Sequence, residues 1–336
     1  MTDLGKIDAD FFERVVAPNL GADREAVSLG PTAGIDFGVL ELDGQAIVTA
    51  TDPLSVLPAL GLERAGRLAI DIVLSDVAVS GIRPTHLTVS LTLPPEYPPA
   101  DLATLWQGID AHARELGVSV TASHAGRYPG VDSSWIGSGA AFGVGRPEDL
   151  VRPDGARPGD TLVISTGPAA EVAGLFSTLY PNQLGLSPEA VRTAQQRLAD
   201  IPAVADALAA HDAGHVTAMH DATEGGIVGG LNEMADGADV RFEIDRDAVP
   251  MAEGVSAVCD AIGVDPWQVT SCGTLLIAVE PSDAPAVVST LKDRDTPAAV
   301  VGQVTAGNGV YADGERVEPP VADPSWAAAS RLSDTS

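Results

Sequence analysis

The chain has 336 residues, of which 45% are hydrophobic, and this length suits two domains that each bury a core. Its formal net charge of −28 excludes a nucleic-acid backbone as a partner, because like charges repel. No apolar run is long enough to span a membrane, and the N-terminus lacks the features of a secretory signal. We therefore expect a soluble, cytoplasmic protein without a membrane anchor.

The acidic residues are scattered along the chain rather than collected in one run, and Lys6 and Lys292 are the only lysines. A scattered acidic surface keeps a protein hydrated in concentrated salt, where self-repulsion is screened. We interpret the charge as the salt adaptation of a halophilic protein. A single exposed carboxylate is therefore not evidence of a functional site in this chain.

The first half of the chain alternates strand and helix patterns. Helix 62–80 ends before Gly81 and Pro84, and helix 101–116 has Asp101 as a candidate N-cap after two prolines. The order β-β-α-β-α-β-β predicts a mixed α/β sheet with helices on one face. The predicted strands of this half are 38–42, 46–51, 87–93, 118–122 and 135–144.

The second half follows a segment, 145–160, that is rich in proline, glycine and aspartate, and we place a domain boundary there. It is predicted to form a second α/β domain over residues 149–318, after an N-terminal domain over residues 1–148. Residues 319–336 contain three prolines and are expected to be a flexible tail. The predicted strands are 162–166, 240–244, 274–279 and 298–304, and the predicted helices are 169–180, 188–210 and 225–235.

Three carboxylates of the first half stand at the ends of predicted elements. Asp36 precedes a strand, Asp52 ends the next strand, and Asp76 lies near the end of the first long helix. Carboxylate oxygens are hard ligands that suit Mg²⁺ together with phosphate oxygens and water. Spacing alone does not show that the three converge, and each could instead be a solvated or helix-terminal acid.

Five motifs in order resemble the HypE branch of the aminoimidazole-ribonucleotide synthetase (PurM-like) superfamily, from about residue 30 to residue 305. Each motif alone is a weak signal, but the five together are specific. They are Thr51-Asp52-Pro53, residues 71–84 with Asp76 and Pro84, the strand opened by Arg157, His220 to Gly226, and Thr270 to Val279.

The resemblance implies a two-domain PurM-like fold that homodimerises through its N-terminal sheets and binds ATP with Mg²⁺ in a cleft between the domains. A glycine pair that opens a helix can offer backbone N–H groups to phosphate oxygens. The implied metal ligands are Asp36, Asp52, Asp76 and Asp221. The implied nucleotide-binding residues are the same four together with Thr51, Thr223, Glu224, Gly225 and Gly226.

Two departures from the family pattern affect the site. The family usually has two adjacent acids in its first motif, where this chain has Ile35 and Asp36, so one metal ligand is missing unless Asp43 or another acid compensates. In the loop after residue 121, His124 replaces the acid of the HypE branch. We predict His124 and Arg127 as catalytic residues on the substrate side, and the alternative is that they only anchor a loop.

A third departure concerns thiol chemistry. Proteins of the HypE branch end in a cysteine that carries the group dehydrated at the expense of ATP, whereas this chain ends in Ser336. Cys259 and Cys272 are expected to be small buried residues. The usual N-terminal Cys or Sec of selenophosphate synthetases also has no counterpart, so both reactions are disfavoured.

Two functions remain open. The first is an enzyme that uses Mg-ATP to phosphorylate or activate an oxygen of an unidentified small substrate. The second is a non-catalytic member of the same fold that binds a nucleotide or a partner protein. Ile35 favours the second, and the retained Asp52, Asp76 and Asp221 favour the first.

Overall fold

A computed structural model describes residues 4–7, 9–131, 134–199 and 202–333. The chain divides into two compact units. The N-terminal unit comprises residues 22–32 and 36–150. The C-terminal unit comprises residues 33–35, the described residues after 150, and the described residues before 22. Each unit combines a sheet with helices, which confirms the predicted two-domain α/β class.

The N-terminal segment belongs to the C-terminal unit, unlike the continuous domain 1–148 that we expected. It contains α1 (Ala9–Phe11), which continues as a π-helical turn over Phe12–Val16 and a 3₁₀ turn over Ala17–Asn19. The sequence pattern could not reveal this assignment, because it depends on contacts with residues more than 200 positions away.

Six strands form the sheet of the N-terminal unit: β1 (Val27–Leu29), β2 (Phe37–Leu42), β3 (Gln45–Ser55), β4 (Pro84–Leu93), β5 (Ser119–Arg127) and β6 (Trp135–Gly145). Their order in the sheet is β1-β2-β3-β6-β4-β5. The edge pair β4 and β5 is parallel and the other neighbours are antiparallel. A parallel pair requires a crossover connection, which a helix supplies here.

Two helices cover one face of this sheet, as the element order predicts. They are α2 (Leu62–Ala78) and α3 (Pro99–Leu116). Alternate strand residues such as Val48 and Leu87 are buried beneath the helices, and the intervening residues are half-exposed on the other face. The second helix begins at Pro99 rather than at Asp101, because proline is favoured at the first helical position.

Seven strands form the sheet of the C-terminal unit: β7 (Thr161–Ser165), β8 (Val216–Asp221), β9 (Val240–Ile244), β10 (Leu275–Val279), β11 (Ala298–Ala306), β12 (Gly309–Ala312) and β13 (Glu315–Arg316). Their order is β13-β12-β9-β11-β7-β10-β8. Only β9 and β12 pair in parallel among these described strands. The arrangement leaves β8 at one edge of the sheet.

The helices of this unit form two buried clusters. The first cluster joins Ile227, Leu231 and Met234 to Leu162 and Phe242 of the sheet. The second lies between helices and includes Phe176, Val258 and Ala328. The helices are α4 (Ala170–Leu179), α5 (Pro188–Gln195), α6 (Ala203–Ala213), α7 (Gly226–Ala238), α8 (Val255–Ile262), α9 (Ala284–Lys292) and α10 (Pro324–Ser333). None of the helices in the described ranges is long and apolar enough to cross a membrane.

Two predictions in this half are corrected. The helix expected over 188–210 is divided into α5 and α6, and Pro202 precedes the first residue of α6 because proline interrupts helical hydrogen bonding. The flexible tail expected over 319–336 instead contains α10, in which Ala328 is fully buried. Arg331 Nη2 also donates a 2.8 Å hydrogen bond to Ile262 O, and Ser333 Oγ lies 2.9 Å from Tyr180 Oη, so the last turn of this helix is held by two contacts.

Candidate active site

Asp36 and Asp52 lie at the same end of the β2–β3 hairpin. Phe37 pairs with Ala50, so the preceding Asp36 comes beside the residues around Asp52. Asp52 pairs with Gly139 on the face that α2 covers. Asp43, by contrast, lies in the turn at the opposite end of β2, so it cannot compensate for the missing acid at Ile35.

Asp76 is the third predicted ligand of this unit, and it is buried in the last turn of α2. Within the described part of the N-terminal unit, no three His, Cys, Asp or Glu side chains bring ligand atoms within 4.8 Å of one another. The three carboxylates therefore do not form a complete metal cage by themselves. Mg²⁺ commonly takes one or two carboxylates and completes its shell with phosphate oxygens and water, so their role as ligands stays a prediction.

Thr51 points to the face of the sheet opposite Asp52, because side chains alternate along a strand. Its Oγ1 donates a 3.0 Å hydrogen bond to Gly139 O. The hydroxyl thus already stabilises the β3–β6 pair, and nucleotide binding by Thr51 stays a prediction.

His124 and Arg127 lie on opposite faces of the edge strand β5, since they are three residues apart. His124 Nε2 lies 2.9 Å from Tyr128 Oη, while Arg127 donates through Nε and Nη2 to Tyr97 O at 3.2 and 2.9 Å. A side chain at Gly126 would overlap the Tyr128 ring, so glycine lets Tyr128 fold back to reach His124. Both predicted catalytic residues have local anchoring contacts, and their role toward a substrate stays a prediction.

His220 and Asp221 end the edge strand β8 of the C-terminal unit, opposite Leu276 and Leu275. The side chains of both are almost fully buried. His220 Nε2 lies 2.8 Å from Glu233 Oε2 of α7, and His220 Nδ1 lies 3.5 Å from Asp221 Oδ1. The imidazole is therefore held between two carboxylates. Sequence reasoning missed Glu233, because its approach to His220 depends on how α7 packs on the sheet.

A tight turn links β8 to α7 and contains the predicted glycine pair. Gly225 and Gly226 have φ values of +80° and +63°, which favour glycine. A Cβ at Gly226 would lie 2.5 Å from Val269 O, so the close approach of the neighbouring chain also requires glycine. The conformation of this turn is consequently encoded by its two glycines.

The backbone N–H groups of the glycine pair are not held open for phosphate as we expected. Gly225 N donates to Asp323 Oδ2 at 2.9 Å, and Gly226 N donates to Thr223 O at 3.0 Å. Asp323 is buried, and its Oδ1 also accepts from Ser325 N at the start of α10. The segment carrying Asp323 was expected to be a flexible tail, so its contact with Gly225 was not foreseen, and nucleotide binding by the two glycines stays a prediction.

Glu171, in the first turn of α4, adds another carboxylate near this turn. It accepts hydrogen bonds from Thr270 Oγ1 at 2.9 Å and from Cys272 N at 3.0 Å. Burial raises the pKa of Glu171 above its ordinary value, and the negative charges of Asp323 and Glu224 add to the increase. The sequence offered no signal for this role, because the residues that contact Glu171 are about 100 positions away.

The two cysteines are buried, as predicted. Burial raises the pKa of the Cys259 thiol to about 12, so it stays protonated at neutral pH. Cys272 is 2% exposed and lies inside the turn that donates to Glu171. Neither thiol is accessible to a substrate.

The fold and the motifs define a class of proteins with two AIR synthase-type domains. The family model for the N-terminal domain of AIR synthase related proteins matches residues 34–144, and the model for their C-terminal domain matches residues 157–315. Together these domains cover most of the chain. The chain therefore belongs to the AIR synthase-related family.

Within this family the chain is similar to HypE proteins. Carbamoyl dehydratase HypE of Rhizobium leguminosarum bv. viciae is 31% identical over 83% of this chain and 79% of its own length. The crystal structure of Escherichia coli HypE superposes with a TM-score of 0.71 at 24% identity, covering 94% of this chain and 96% of that one. AaThiL complexed with AMPPCP and TMP gives a TM-score of 0.71 at 23% identity, with coverages of 86% and 91%. These findings confirm the PurM-like fold and the resemblance to the HypE branch.

Proposed function

We propose that this protein binds Mg-ATP and uses it to phosphorylate or activate an oxygen atom of a small substrate. The observation that carries the proposal is the buried Asp221 at the end of β8, directly before the Thr223–Gly226 turn of the shared motif. The relative with 31% identity is a carbamoyl dehydratase, and the AaThiL structure contains AMPPCP, an analogue of ATP. The first name supports an enzymatic function, and the second supports the binding of a nucleotide.

The proposed Mg²⁺ ligands are carboxylates, the donor type that this ion prefers. Asp36, Asp52, Asp76 and Asp221 would hold the ion. The donor set fits the ion, because carboxylate oxygens are hard donors, and Asp76 and Asp221 are almost fully buried and so shielded from bulk water. When bound, Mg²⁺ would neutralise charge on the phosphate oxygens and orient them.

The residues of the chain would act mainly by positioning, because phosphoryl transfer needs little covalent participation from the protein. His220, held by Glu233, would fix the orientation of the Asp221 carboxylate. The conformation of the glycine turn would keep Thr223 and Glu224 beside that carboxylate. An oxygen of the substrate would attack the terminal phosphorus, and ADP would leave.

The substrate is proposed to be a separate molecule rather than a group carried on a cysteine of the folded chain. Cys259 and Cys272 are both buried, so neither sulfur can receive and present such a group. His124 and Arg127 remain the proposed substrate-side residues. Both are exposed on β5, where an imidazole could exchange a proton and a guanidinium could bind an anionic group.

The alternative function is nucleotide binding without turnover. It is favoured by the internal hydrogen bonds of Gly225 and Gly226 and by Ile35 in the first acidic motif. The two functions differ in one outcome, since only an enzyme releases ADP when a substrate is supplied.

The proposal is tested by calorimetric titration of ATP with and without Mg²⁺, on the wild type and on Asp52→Asn and Asp76→Asn. We expect binding that requires Mg²⁺ and that weakens by about tenfold or more in each variant, since each removes a charged ligand. Asp43→Asn is the matched control, because Asp43 lies in the turn at the other end of β2. Equal binding by all four proteins would contradict the assigned ligands, and no binding by the wild type would contradict the function.

We also propose that the protein is a homodimer formed through the open face of the N-terminal sheet. That face carries half-exposed or exposed residues, including Ile47, Phe142 and Val144, beside small hydroxyl side chains. Light scattering should give twice the mass of the chain. A charged substitution, Phe142→Asp, should give the monomer mass, whereas a wild-type monomer would contradict the proposal.

A further inference from the structure

The N-terminal segment lies directly on the turn that precedes α7. Lys6 N donates a 2.7 Å hydrogen bond to Glu224 Oε2, and Lys6 Nζ lies 3.5 Å from Thr223 Oγ1. Gly5 has a φ of +108°, and a side chain there would overlap the Glu224 carboxylate. The backbone thus approaches Glu224 as closely as glycine allows, and this approach carries the Lys6 ammonium to the turn.

The surroundings of this turn are otherwise rich in negative charge. Asp221, Glu224, Asp323 and Glu171 are all within the turn or in electrostatic reach of it. A polyphosphate has several negative charges, so it would be repelled unless cations stood beside these carboxylates. The glycine N–H groups of the turn are already used inside the protein, which leaves recognition of phosphate to side chains and metal.

We propose that Lys6 binds the phosphate chain of the nucleotide. This inference rests on the proposed function, and it adds a residue from outside both family-matched domains. A lysine ammonium provides a compact positive charge with three donors, and it binds phosphate as a point charge. Lys6 is exposed on a flexible stem, so its ammonium can move from Thr223 to a phosphate oxygen without rearranging the backbone.

The first experiment is calorimetric titration of ATP in the presence of Mg²⁺ on Lys6→Met, Lys6→Arg and Lys292→Met. The Lys6→Met variant lacks a charge-assisted contact, so its Kd for ATP should be about 10- to 100-fold higher than that of the wild type. Lys6→Arg keeps the charge and should recover part of this loss. Lys292→Met is the matched control, because Lys292 is the other lysine of the chain and lies exposed at the end of α9.

A second pair of variants moves Lys6 without removing its charge. Gly5→Ala introduces a side chain against Glu224 and should displace the segment, which should also weaken ATP binding. Gly21→Ala is its control, because Gly21 has a similar positive φ of +84° with nothing within 4 Å of the added atom. Circular dichroism should show the same folded signal in all of these variants, since every substituted residue is exposed.

The outcomes separate the inference from the proposed function. Wild-type affinity in Lys6→Met would overturn the role of Lys6 while leaving Mg-ATP binding intact. An equal loss in Lys292→Met would also overturn it, because the effect would then be one of net charge. A wild type that does not bind Mg-ATP would overturn the proposed function and this inference together.

Discussion

Individual carboxylates near the β8–α7 turn show how burial changes the chemistry of common residues. Glu171 is one of 47 acidic residues, and nothing in its local sequence distinguishes it. In the folded protein it accepts two hydrogen bonds from the Thr270–Cys272 segment, and burial raises its pKa. A carboxyl group with a raised pKa is most compatible with the folded state when it is protonated.

This shift predicts a specific pH dependence for Glu171→Gln. Because the pKa of Glu171 is raised above 4.5 in the folded state, the folded protein binds the proton more tightly than the unfolded chain. The wild type should therefore lose stability relative to the variant as pH rises from about 4.5 through the folded pKa. Glutamine can still accept both hydrogen bonds, so the variant should be at least as stable as the wild type at neutral pH.

Urea unfolding of both proteins across this pH range measures the effect. Glu189→Gln is the control, since Glu189 also lies in the first turn of a helix, α5, but is exposed. A Glu171→Gln variant that is less stable than the wild type at every pH would contradict the account.

At the scale of elements, the first half of the chain was largely predictable and the C-terminal segment was not. Alternating apolar residues and clear helix ends gave the order of strands and helices from β2 to β6. The division between α5 and α6 and the docking of α10 depend on tertiary contacts that no local pattern contains. The candidate site was likewise predictable only in part. Asp221 and the glycine pair stand in a motif that can be recognised in the sequence. Glu171, Glu233 and Asp323 come close to that motif only through tertiary packing.

The attachment of α10 predicts the effect of Asp323→Ala. Asp323 accepts hydrogen bonds from both Gly225 N and Ser325 N, so its removal leaves two buried donors without this acceptor. We expect the free energy of unfolding to fall by about 1–3 kcal/mol and amide exchange in α10 to accelerate. Asp236→Ala, at an exposed position of α7, is the control and should change neither quantity. Unchanged exchange in α10 would show that Asp323 does not hold this helix.

At the scale of the whole molecule, the net charge of −28 is the dominant physical property. Like charges on one folded chain repel one another, and salt screens this repulsion over a Debye length of about 10 Å at 0.1 M. Unfolding separates the charges, so low ionic strength should favour the unfolded state.

We therefore predict that the Tm rises as potassium chloride is increased from low to molar concentration. Scanning calorimetry at a fixed pH measures the change. A Tm that stays constant or falls with salt would contradict the interpretation of the sequence as salt-adapted.

The most direct test of the central claim, a metal and nucleotide site built from carboxylates, uses Mn²⁺ in place of Mg²⁺. Titration of Mn²⁺ followed by EPR should show tighter binding when ATP is present, because such an ion takes a few protein carboxylates and completes its shell with phosphate oxygens and water. Asp221→Asn should abolish this ATP-dependent binding, while Asp212→Asn, at an exposed position of α6, should preserve it. Mn²⁺ binding that is independent of ATP, or that is unchanged in Asp221→Asn, would contradict the account.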